Sequence, residues 1–561
     1  MAAISLESSN EFLGTLDLPV NQPVVYTEEP NFTRWRCYKV RYRFRWITLK
    51  GAAYLILLWT FLVSIGFGSL DNLFTAFLTV FENREHLNPV NYVIFLPYVS
   101  WFVFSLLSGW IADTKCGNFT MVRAGVLIYF VASIMASILQ LCVDSPIAED
   151  LVYAPSSILL TLIHFVGFAG RAMILVTSVQ LGLDQMPDAS SANVASYVVW
   201  FVACLYAGNW INSLFKRVLT DCWAGEGNTP LQVMSLVSVV SLCIVLCSDF
   251  LLSNKLLILE NKRPQSFQII FKVLKFAKKH KAPLNRSALT YYEDAIPSRI
   301  DLGKSRYGGP FTTEEVENVK TVLRMLALSV SFGFIFTSYY LFQQFAYVKD
   351  FESTILASQN CTDVMIRSFS YETSLWVVGF IAIYEFLIYP FAVPIIPSIL
   401  KKIGFASFLT IVVNGISLVV SGLDYNKELT DPYDSDWFWI MHSLISAPLK
   451  VILLTSAIEF VCAQSPHQMK GLMIGYMWSN YYMSNIVANV LAGVFHTVCS
   501  DPRYCSIAYS SMATLCSVTG FVLLGILSRW YKMRVRDDIA TPHRWVEDAY
   551  EKYLASDNQN N

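Results

Sequence analysis

Long apolar runs constrain the fold of this chain more than any other feature of its sequence. A run of about 20 residues is enough for an α-helix to cross a bilayer, where each backbone polar group must be hydrogen-bonded within its own segment. Such runs lie at residues 51–81, 90–112, 120–143, 155–183, 193–214, 230–253, 321–346, 373–400, 405–423, 437–463, 472–497 and 507–530. The sequence therefore predicts an all-α, multi-pass membrane protein with twelve transmembrane helices. The charged fraction of only 15% agrees with this, since soluble proteins carry about 25%.

Basic and acidic residues alternate between the polar segments that separate the runs. Lys and Arg are concentrated before the first run, between the sixth and seventh, between the eighth and ninth, and after the last, whereas the loops on the other side are acidic. Because basic loops stay in the cytoplasm, both termini are predicted to be cytoplasmic. The basic, aromatic segment before residue 50 is interpreted as a juxtamembrane anchor, and no binding of nucleic acid is expected. Asn360, in a loop on the far side, is the predicted glycosylation site.

One long internal connection divides the chain. Five segments are predicted: a cytoplasmic N-terminal segment 1–50, a six-helix bundle 51–253, a cytoplasmic connection 254–320, a second six-helix bundle 321–530 and a cytoplasmic tail 531–561. Within the connection, residues 267–281 place apolar side chains at helical spacing opposite basic ones. This pattern indicates an amphipathic helix on the inner membrane surface, with a solvated helix as the alternative. Two six-helix bundles joined in this way are the layout of major facilitator transporters, whose substrate site lies between the bundles.

Four stretches carry a specific pattern of glycines and polar residues. They are 109–118 (GWIADTKCGN), 181–186 (LGLDQM), 286–320 and 459–470 (EFVCAQSPHQMK). Together they resemble the proton-coupled oligopeptide transporters of the major facilitator superfamily. The resemblance implies a carrier of small peptides or peptide-like solutes that works by alternating access and is driven by protons. It also implies a conformational loop that includes Gly109, Asp113, Lys115, Gly117 and Asp184.

The charged residues that this family uses for coupling and binding are absent at the corresponding positions. Trp59, Leu62 and Val63 occupy the positions of its Glu-x-x-Glu-Arg motif in the first helix. Leu175 replaces its lysine in the fourth helix, and Lys450 replaces the glutamate that holds the amino end of a peptide. Ordinary recognition of a peptide amino end is therefore not expected. An organic or nitrate-like anion competes with peptides as the substrate.

Ionisable residues inside the apolar runs are the candidate site residues, because a charge in a bilayer is costly unless it has a function or a partner. Lys450 and Arg171 are predicted to line a central cavity and to bind an anionic or carboxylate-bearing substrate. Tyr339 and Trp478 are predicted to shape the pocket. Interhelical ion pairs are the alternative role for the charges.

Two glutamates are the predicted proton-coupling residues, Glu459 and Glu385. Lys450 and Glu459 point to opposite faces of one helix, since about 900° of rotation separates them. An ion pair with another helix is the alternative for Glu459. Asp71 is predicted to face the outer mouth, and His164 to be a packed interior histidine.

The sequence therefore predicts a membrane transporter and not an enzyme, because it contains no nucleophile motif or phosphate-binding loop. The expected partners are a small-molecule substrate, protons and the lipid bilayer, with no cofactor and no metal. The chain is expected to be a monomer in the plasma membrane or an endolysosomal membrane. A sensor that binds a solute without transporting it is the second interpretation, because the usual coupling residues are missing.

Overall fold

The structure, a computed structural model, describes residues 51–85, 90–143, 153–186, 191–217, 229–256, 268–281, 297–354, 373–389, 398–425, 436–466, 469–498 and 502–531. Contacts divide the chain into two units, residues 1–42 and 43–561, and every described residue lies in the second. The predicted glycosylation site Asn360 and the predicted N-terminal segment lie outside the described residues.

The described residues are mainly α-helical. In chain order the helices are α1 Gly51–Glu85, α2 Val90–Ile111, α3 Gly117–Val143, α4 Tyr153–Asp184, α5 Ser191–Arg217, α6 Thr229–Leu256, α7 Gln268–Lys279, α8 Thr313–Thr354, α9 Thr373–Ile383, α10 Ile399–Tyr425, α11 Asp436–Gln464, α12 Lys470–Val498 and α13 Pro502–Trp530. Two wider, π-type turns follow α2 at Ala112–Cys116 and α9 at Tyr384–Ile388. The prediction of an all-α protein is confirmed.

The helices fall on the apolar runs of the sequence. Nine stretches of the described residues are apolar and long enough to cross a membrane, and one of them, 99–140, runs through α2 and α3. The segment 373–388 is apolar but shorter. The helix α8 begins at Thr313, earlier than the predicted start near residue 321. The number of crossings, twelve, stays a prediction.

Contacts sort the membrane helices into two groups, α1–α6 and α8–α13. In the first group α1 contacts α4, α5 and α6, and α3 contacts α4 and α6. In the second, α13 contacts α8 and α10, while α11 contacts α9, α10 and α12. The main contacts between the groups are those of α12 with α2 and α4, and those of α5 with α9 and α11. The interior between the groups is therefore bordered by α2, α4, α5, α11 and α12.

Helix α7 coincides with the predicted amphipathic helix. Its buried residues are Ile270, Val273 and Ala277, and it contacts α8 and the turn Asp301–Gly303. Phe271 stays exposed, as do the lysines of the opposite face. Protein therefore covers part of the apolar face that the sequence assigned to the membrane surface.

A cluster of four charges joins the end of the long connection to the start of α8. Lys304 Nζ lies 2.7 Å from Asp301 Oδ1 and 2.6 Å from Glu317 Oε1, and Lys320 pairs with the same two carboxylates. Burial raises the pKa of Asp301, but hydrogen bonds from Lys304, Lys320 and Ser298 outweigh it and hold that pKa well below its usual range. A carboxyl with a lowered pKa stabilises the fold above its unfolded pKa of about 4. This contribution is lost only as the pH falls through the lowered value.

Candidate functional site

Arg171 lies in the middle part of α4 and is enclosed by aromatic rings. It is only 5% exposed, and its guanidinium carbon lies 3.1 Å from the ring centroid of Phe67 and 4.5 Å from that of Trp101. Its Nε atom is buried and has no hydrogen-bond partner among the described residues. Aromatic faces attract a cation, but they leave its N–H donors unsatisfied, and a buried charge without a hydrogen-bonded counter-charge is costly. The geometry is suited to binding an anion.

Lys450 approaches the same interior from the other helix group. Its Nζ lies 4.6 Å from the ring centroid of Tyr206 in α5 and 5.6 Å from that of Tyr339 in α8. Gln343 Nε2 donates a hydrogen bond of 2.7 Å to the Tyr339 hydroxyl and fixes that ring. Pro448 lies inside α11 just before Lys450. Because proline has no backbone N–H, α11 lacks one helical hydrogen bond close to Lys450.

Aromatic side chains connect the two cations. Tyr482 stacks on Trp101 with centroids 3.7 Å apart and on Trp478 at 5.9 Å. Tyr481 packs edge-on against Trp478 at 5.7 Å, and its hydroxyl interacts with those of Tyr206 and Tyr340. We call this set the central cluster: Arg171, Lys450, Phe67, Trp101, Tyr206, Tyr339, Tyr340, Trp478, Tyr481 and Tyr482. The structure thus brings the four predicted substrate-binding residues into one connected set.

Asp71 and His164 form an ion-pair contact beside the central cluster. His164 Nε2 lies 3.5 Å from Asp71 Oδ1, with the His164 side chain 1% exposed and that of Asp71 47% exposed. The His164 ring packs edge-on against Phe168 with centroids 4.5 Å apart, and Phe168 packs on Phe67 and Trp101. The sequence predicted each position separately and did not predict their contact.

The two predicted proton-coupling glutamates lie in α11 and in the wide turn after α9. Glu459 Oε2 accepts a hydrogen bond of 3.2 Å from Lys402 Nζ, which links α11 to α10. Glu385 is buried within the wide turn that follows α9. The interhelical ion pair considered for Glu459 is therefore present. Its role in proton coupling stays a prediction, as does that of Glu385.

Asp113 caps the first turn of α12. Its carboxylate accepts hydrogen bonds from the backbone N–H groups of Gly471 at 3.1 Å and Leu472 at 2.7 Å. A helix begins with unpaired N–H donors and a partial positive charge, so a carboxylate there stabilises the contact. Gly109 lies so close that a Cβ atom on it would come within 2.1 Å of the Gly471 oxygen. The ends of α2 and α12 are therefore in direct contact, and we call this contact the inner gate.

The remaining residues of the predicted conformational loop surround the inner gate. Asn118 Nδ2 donates a hydrogen bond of 2.6 Å to Asp184 Oδ2, which ties α3 to the end of α4. Gly117 has a φ of 74°, a left-handed conformation that glycine adopts at low cost. Lys115 is exposed. Asn118 occupies the position at which the related family has a basic residue. Its neutral amide, rather than a charged group, donates the hydrogen bond to Asp184.

Two cavities among the described residues are lined by neither Arg171 nor Lys450. One of about 520 Å³ has an apolar lining from α2, α7, α8 and α12 that includes Trp110, Phe271 and Tyr476. A second, of about 150 Å³, lies beside Lys402 and Glu459. No group of three or more His, Cys, Asp or Glu side chains in the described ranges is placed to hold a metal ion.

Comparison of the sequence with models of protein families gives one match. The PTR2 model of the POT family matches residues 233–510. These residues are POT-family sequence. The predicted resemblance is confirmed, and the match includes Lys450 and the start of α12 at the inner gate. Comparison with curated protein sequences gave no match.

Solved structures similar to this chain are transporters. The POT family transporter PepTSo is 16% identical with a TM-score of 0.61, covering 86% of this chain and 99% of its own. An autoinhibited POT family peptide transporter is 16% identical with a TM-score of 0.58, covering 87% and 98%. The human organic anion transporter MFSD10 is 12% identical with a TM-score of 0.52, covering 84% and 98%. At such identities the likeness shows the fold, which is the major facilitator fold of a multi-pass membrane protein.

Sequence reasoning missed the partners of the charged residues. Trp59, at the position of a family glutamate, donates from Nε1 to Ser248 Oγ at 2.8 Å and packs inside the first helix group. Leu175 is buried in the core. Tyr206 contacts Lys450, but its sequence position does not distinguish it from the other tyrosines of a chain that has 29.

Proposed function

We propose that this protein is a secondary-active transporter of small, carboxylate-bearing solutes, with small peptides and peptide-like compounds as the substrate class. Its POT-family sequence and its fold support transport across a membrane. The proposal places the substrate in the central cluster, where Arg171 and Lys450 bind its negative charge. Tyr339 and Trp478 shape the pocket around it.

The burial of Arg171 carries this proposal. Its guanidinium contacts the rings of Phe67 and Trp101, and its Nε donor has no acceptor among the described residues. A carboxylate presents two oxygens in the plane that suits a guanidinium and forms charge-assisted hydrogen bonds with it. A substrate carboxylate therefore supplies an acceptor for the Nε donor and adds to the negative charge of Asp71, which acts on Arg171 from α1.

The positions of the two cations support alternating access between the helix groups. Arg171 belongs to α4 and Lys450 to α11, and the interior between these helices is closed at the inner gate. A substrate bound to both groups stays enclosed until α2 and α12 separate. Gly109, Asp113, Lys115, Gly117 and Asp184 are the residues that we assign to this movement.

The test compares ligand binding by two arginine variants of the purified full-length protein. In Arg171→Gln we expect the Kd of alanyl-alanine to rise by about 30-fold or more, since truncating one partner of a buried charge pair costs about 2–5 kcal/mol. The apo-protein should keep its thermal stability, because an uncompensated buried charge has been removed. Arg123→Gln is the matched control, because Arg123 Nε donates to Asp249 Oδ2 at 2.7 Å at the α3–α6 contact. That variant should lose stability and keep its affinity.

Comparison of alanyl-alanine with its C-terminal amide isolates the carboxylate. The wild-type protein should be stabilised against heat by the dipeptide and not by the amide. Equal stabilisation by both, or undiminished affinity in Arg171→Gln, would show that Arg171 does not bind the substrate.

Lys450 favours an organic or nitrate-like anion as a second candidate substrate. It gives the central cluster a second cation at the position where related transporters have a glutamate for the peptide amino end. Succinate and nitrate therefore belong in the same thermal-shift panel. Stabilisation by these anions together with none by alanyl-alanine would replace peptides by anions as the substrate class.

A solute sensor is the candidate from a different functional class. The observation in its favour is the loss of charge at Trp59, Leu62 and Val63, which pack as buried or partly buried apolar residues. Binding without movement of the solute across a membrane is the behaviour that a sensor would show.

A further inference from the structure

Asp71 and His164 connect solvent with the buried interior near Arg171. His164 is almost fully buried, whereas about half of the Asp71 side chain is exposed, and Nε2 and Oδ1 are 3.5 Å apart. A carboxylate at this distance stabilises the protonated form of an imidazole. An imidazole is also the side chain whose charge changes most readily near neutral pH.

His164 and Arg171 lie on the same face of α4. Their separation is about two helical turns, or roughly 10 Å along the axis. Burial and the like charge of Arg171 both oppose a positive charge on His164, whereas the neighbouring Asp71 carboxylate favours it. An anion bound to Arg171 removes part of that opposition.

The helices packed against α4 contribute few other ionisable groups near this pair. Asp71 comes from α1, and Tyr129 from α3 lies within electrostatic range of both Asp71 and Arg171. Tyr206 from α5 and Tyr482 from α12 act on Arg171. Helix α2 has no ionisable side chain between residues 99 and 111.

We propose that Asp71 and His164 form a proton-binding dyad whose occupancy is coupled to the anion at Arg171. This inference rests on the proposed function, since it needs a negatively charged ligand in the central cluster. A proton passes from the outer solvent by way of Asp71 to the unprotonated Nε2 of the imidazole, 3.5 Å from Asp71 Oδ1, where an N–H bond forms. With the dyad protonated and the substrate carboxylate at Arg171, the helix groups then change the side to which the site is open. The proton leaves the imidazole for water when the opposite side opens.

The coupling between proton binding at His164 and anion binding at Arg171 is large enough to measure as a change in Kd. Two unit charges roughly 10 Å apart in a protein interior of intermediate dielectric change each other's binding by about tenfold. Linkage requires that the proton and the anion strengthen each other's binding by the same factor. The Kd of alanyl-alanine should therefore fall by about tenfold between about pH 8 and about pH 5.5, across the usual range of imidazole titration.

The experiment measures the Kd of alanyl-alanine by calorimetry across this pH range for the wild type and three variants. His164→Gln should bind with the wild-type Kd at the alkaline end and show no tightening at the acidic end. Asp71→Asn, at a side chain that is half exposed and tolerant of change, should shift the tightening to lower pH. His442→Gln is the matched control, because His442 stacks on Phe342 with centroids 4.3 Å apart in the other helix group. It should keep the wild-type profile.

Calorimetry in buffers of different ionisation enthalpy supplies a second readout. With a tenfold coupling, the wild type should take up at most about half a proton per ligand within this pH range, and His164→Gln should take up none. A wild-type pH profile or wild-type proton uptake in His164→Gln would overturn the dyad, while dependence on Arg171 would leave the proposed function intact. Loss of binding at every pH in His164→Gln and in Asp71→Asn would also overturn it, because those residues would then be needed for the site itself. Absence of binding to the wild type would overturn the proposed function and the dyad together.

Discussion

Lys450 and Arg171 differ in how deeply they are buried and in which aromatic rings they contact. Arg171 lies against two rings deep in α4, whereas Lys450 is partly exposed and lies over Tyr206 and Tyr339. A cation over an aromatic face gains about 0.5–2 kcal/mol, depending on how far it is desolvated. Lys450 is therefore the less enclosed of the two cations.

At Lys450 we predict a loss of anion binding with little loss of stability. Lys450→Ala should weaken the binding of alanyl-alanine and of succinate by about tenfold or more, the cost of removing one charge-assisted contact. Thermal shift and calorimetry on the purified protein measure both effects. Lys275→Ala is the control, because Lys275 is an exposed lysine on α7. Unchanged binding in Lys450→Ala would remove Lys450 from the site.

The sequence was sufficient to find the buried charges and insufficient to pair them. Arg171 and Lys450 stand out because an ionisable residue inside an apolar run is rare and costly. Their neighbours do not stand out, because Phe67, Trp101 and Tyr206 resemble the many other aromatic residues of this chain. The contact of His164 with Asp71 joins α4 to α1, and only the packing of those helices brings the two side chains together.

At the level of the helices, α2 and α12 are in close contact, and under the proposed function this contact has to separate for the interior to open. A Cβ atom on Gly475 would lie 2.4 Å from the Ser105 oxygen, so the two backbones approach too closely for any larger residue. Close helix contacts in membranes depend on such small residues. Opening the inner gate has to break this contact and the cap that Asp113 provides for α12.

We predict that Gly475→Leu holds the inner gate open. Cys462 reports this change, because it is buried at the inner end of α11 and lies within electrostatic range of Asp184 in α4. Its labelling by a thiol reagent, measured by mass spectrometry, should rise by about tenfold or more if the closed state is lost by 1.4 kcal/mol or more. Gly493→Leu is the matched control on the same helix, since nothing lies within 4 Å of a Cβ at that position. Equal labelling in the two variants would show that the α2–α12 contact is not the gate.

Helix positions followed from the sequence more closely than helix irregularities did. Apolar runs fix where a segment spans, because length and hydrophobicity decide insertion. The wide turns at Ala112–Cys116 and Tyr384–Ile388 carry no comparable pattern, since their backbone depends on contacts with neighbouring helices. The packing of α7 on α8 was also not evident, because an amphipathic face looks the same whether lipid or protein covers it.

At the scale of the whole molecule, the two helix groups, the cations between them and the closed inner gate form the arrangement that a secondary transporter needs. A sensor requires only the binding site, so binding data alone do not separate the two functions. The difference is whether a gradient across the membrane moves the solute. The proposed dyad makes the proton the coupling ion, with at most one proton bound for each anion.

We predict proton-driven accumulation of alanyl-alanine in proteoliposomes. An inward proton gradient of one pH unit is worth about 1.4 kcal/mol, which supports up to about tenfold accumulation for one proton per substrate. His164→Gln should still exchange labelled for unlabelled dipeptide across the membrane, because exchange needs no net proton movement, but should lose the gradient-driven accumulation. Arg171→Gln should lose both activities through loss of binding. Dipeptide binding to the wild type without exchange or uptake would identify a sensor, since the helix groups would then hold the solute without passing it from one side to the other.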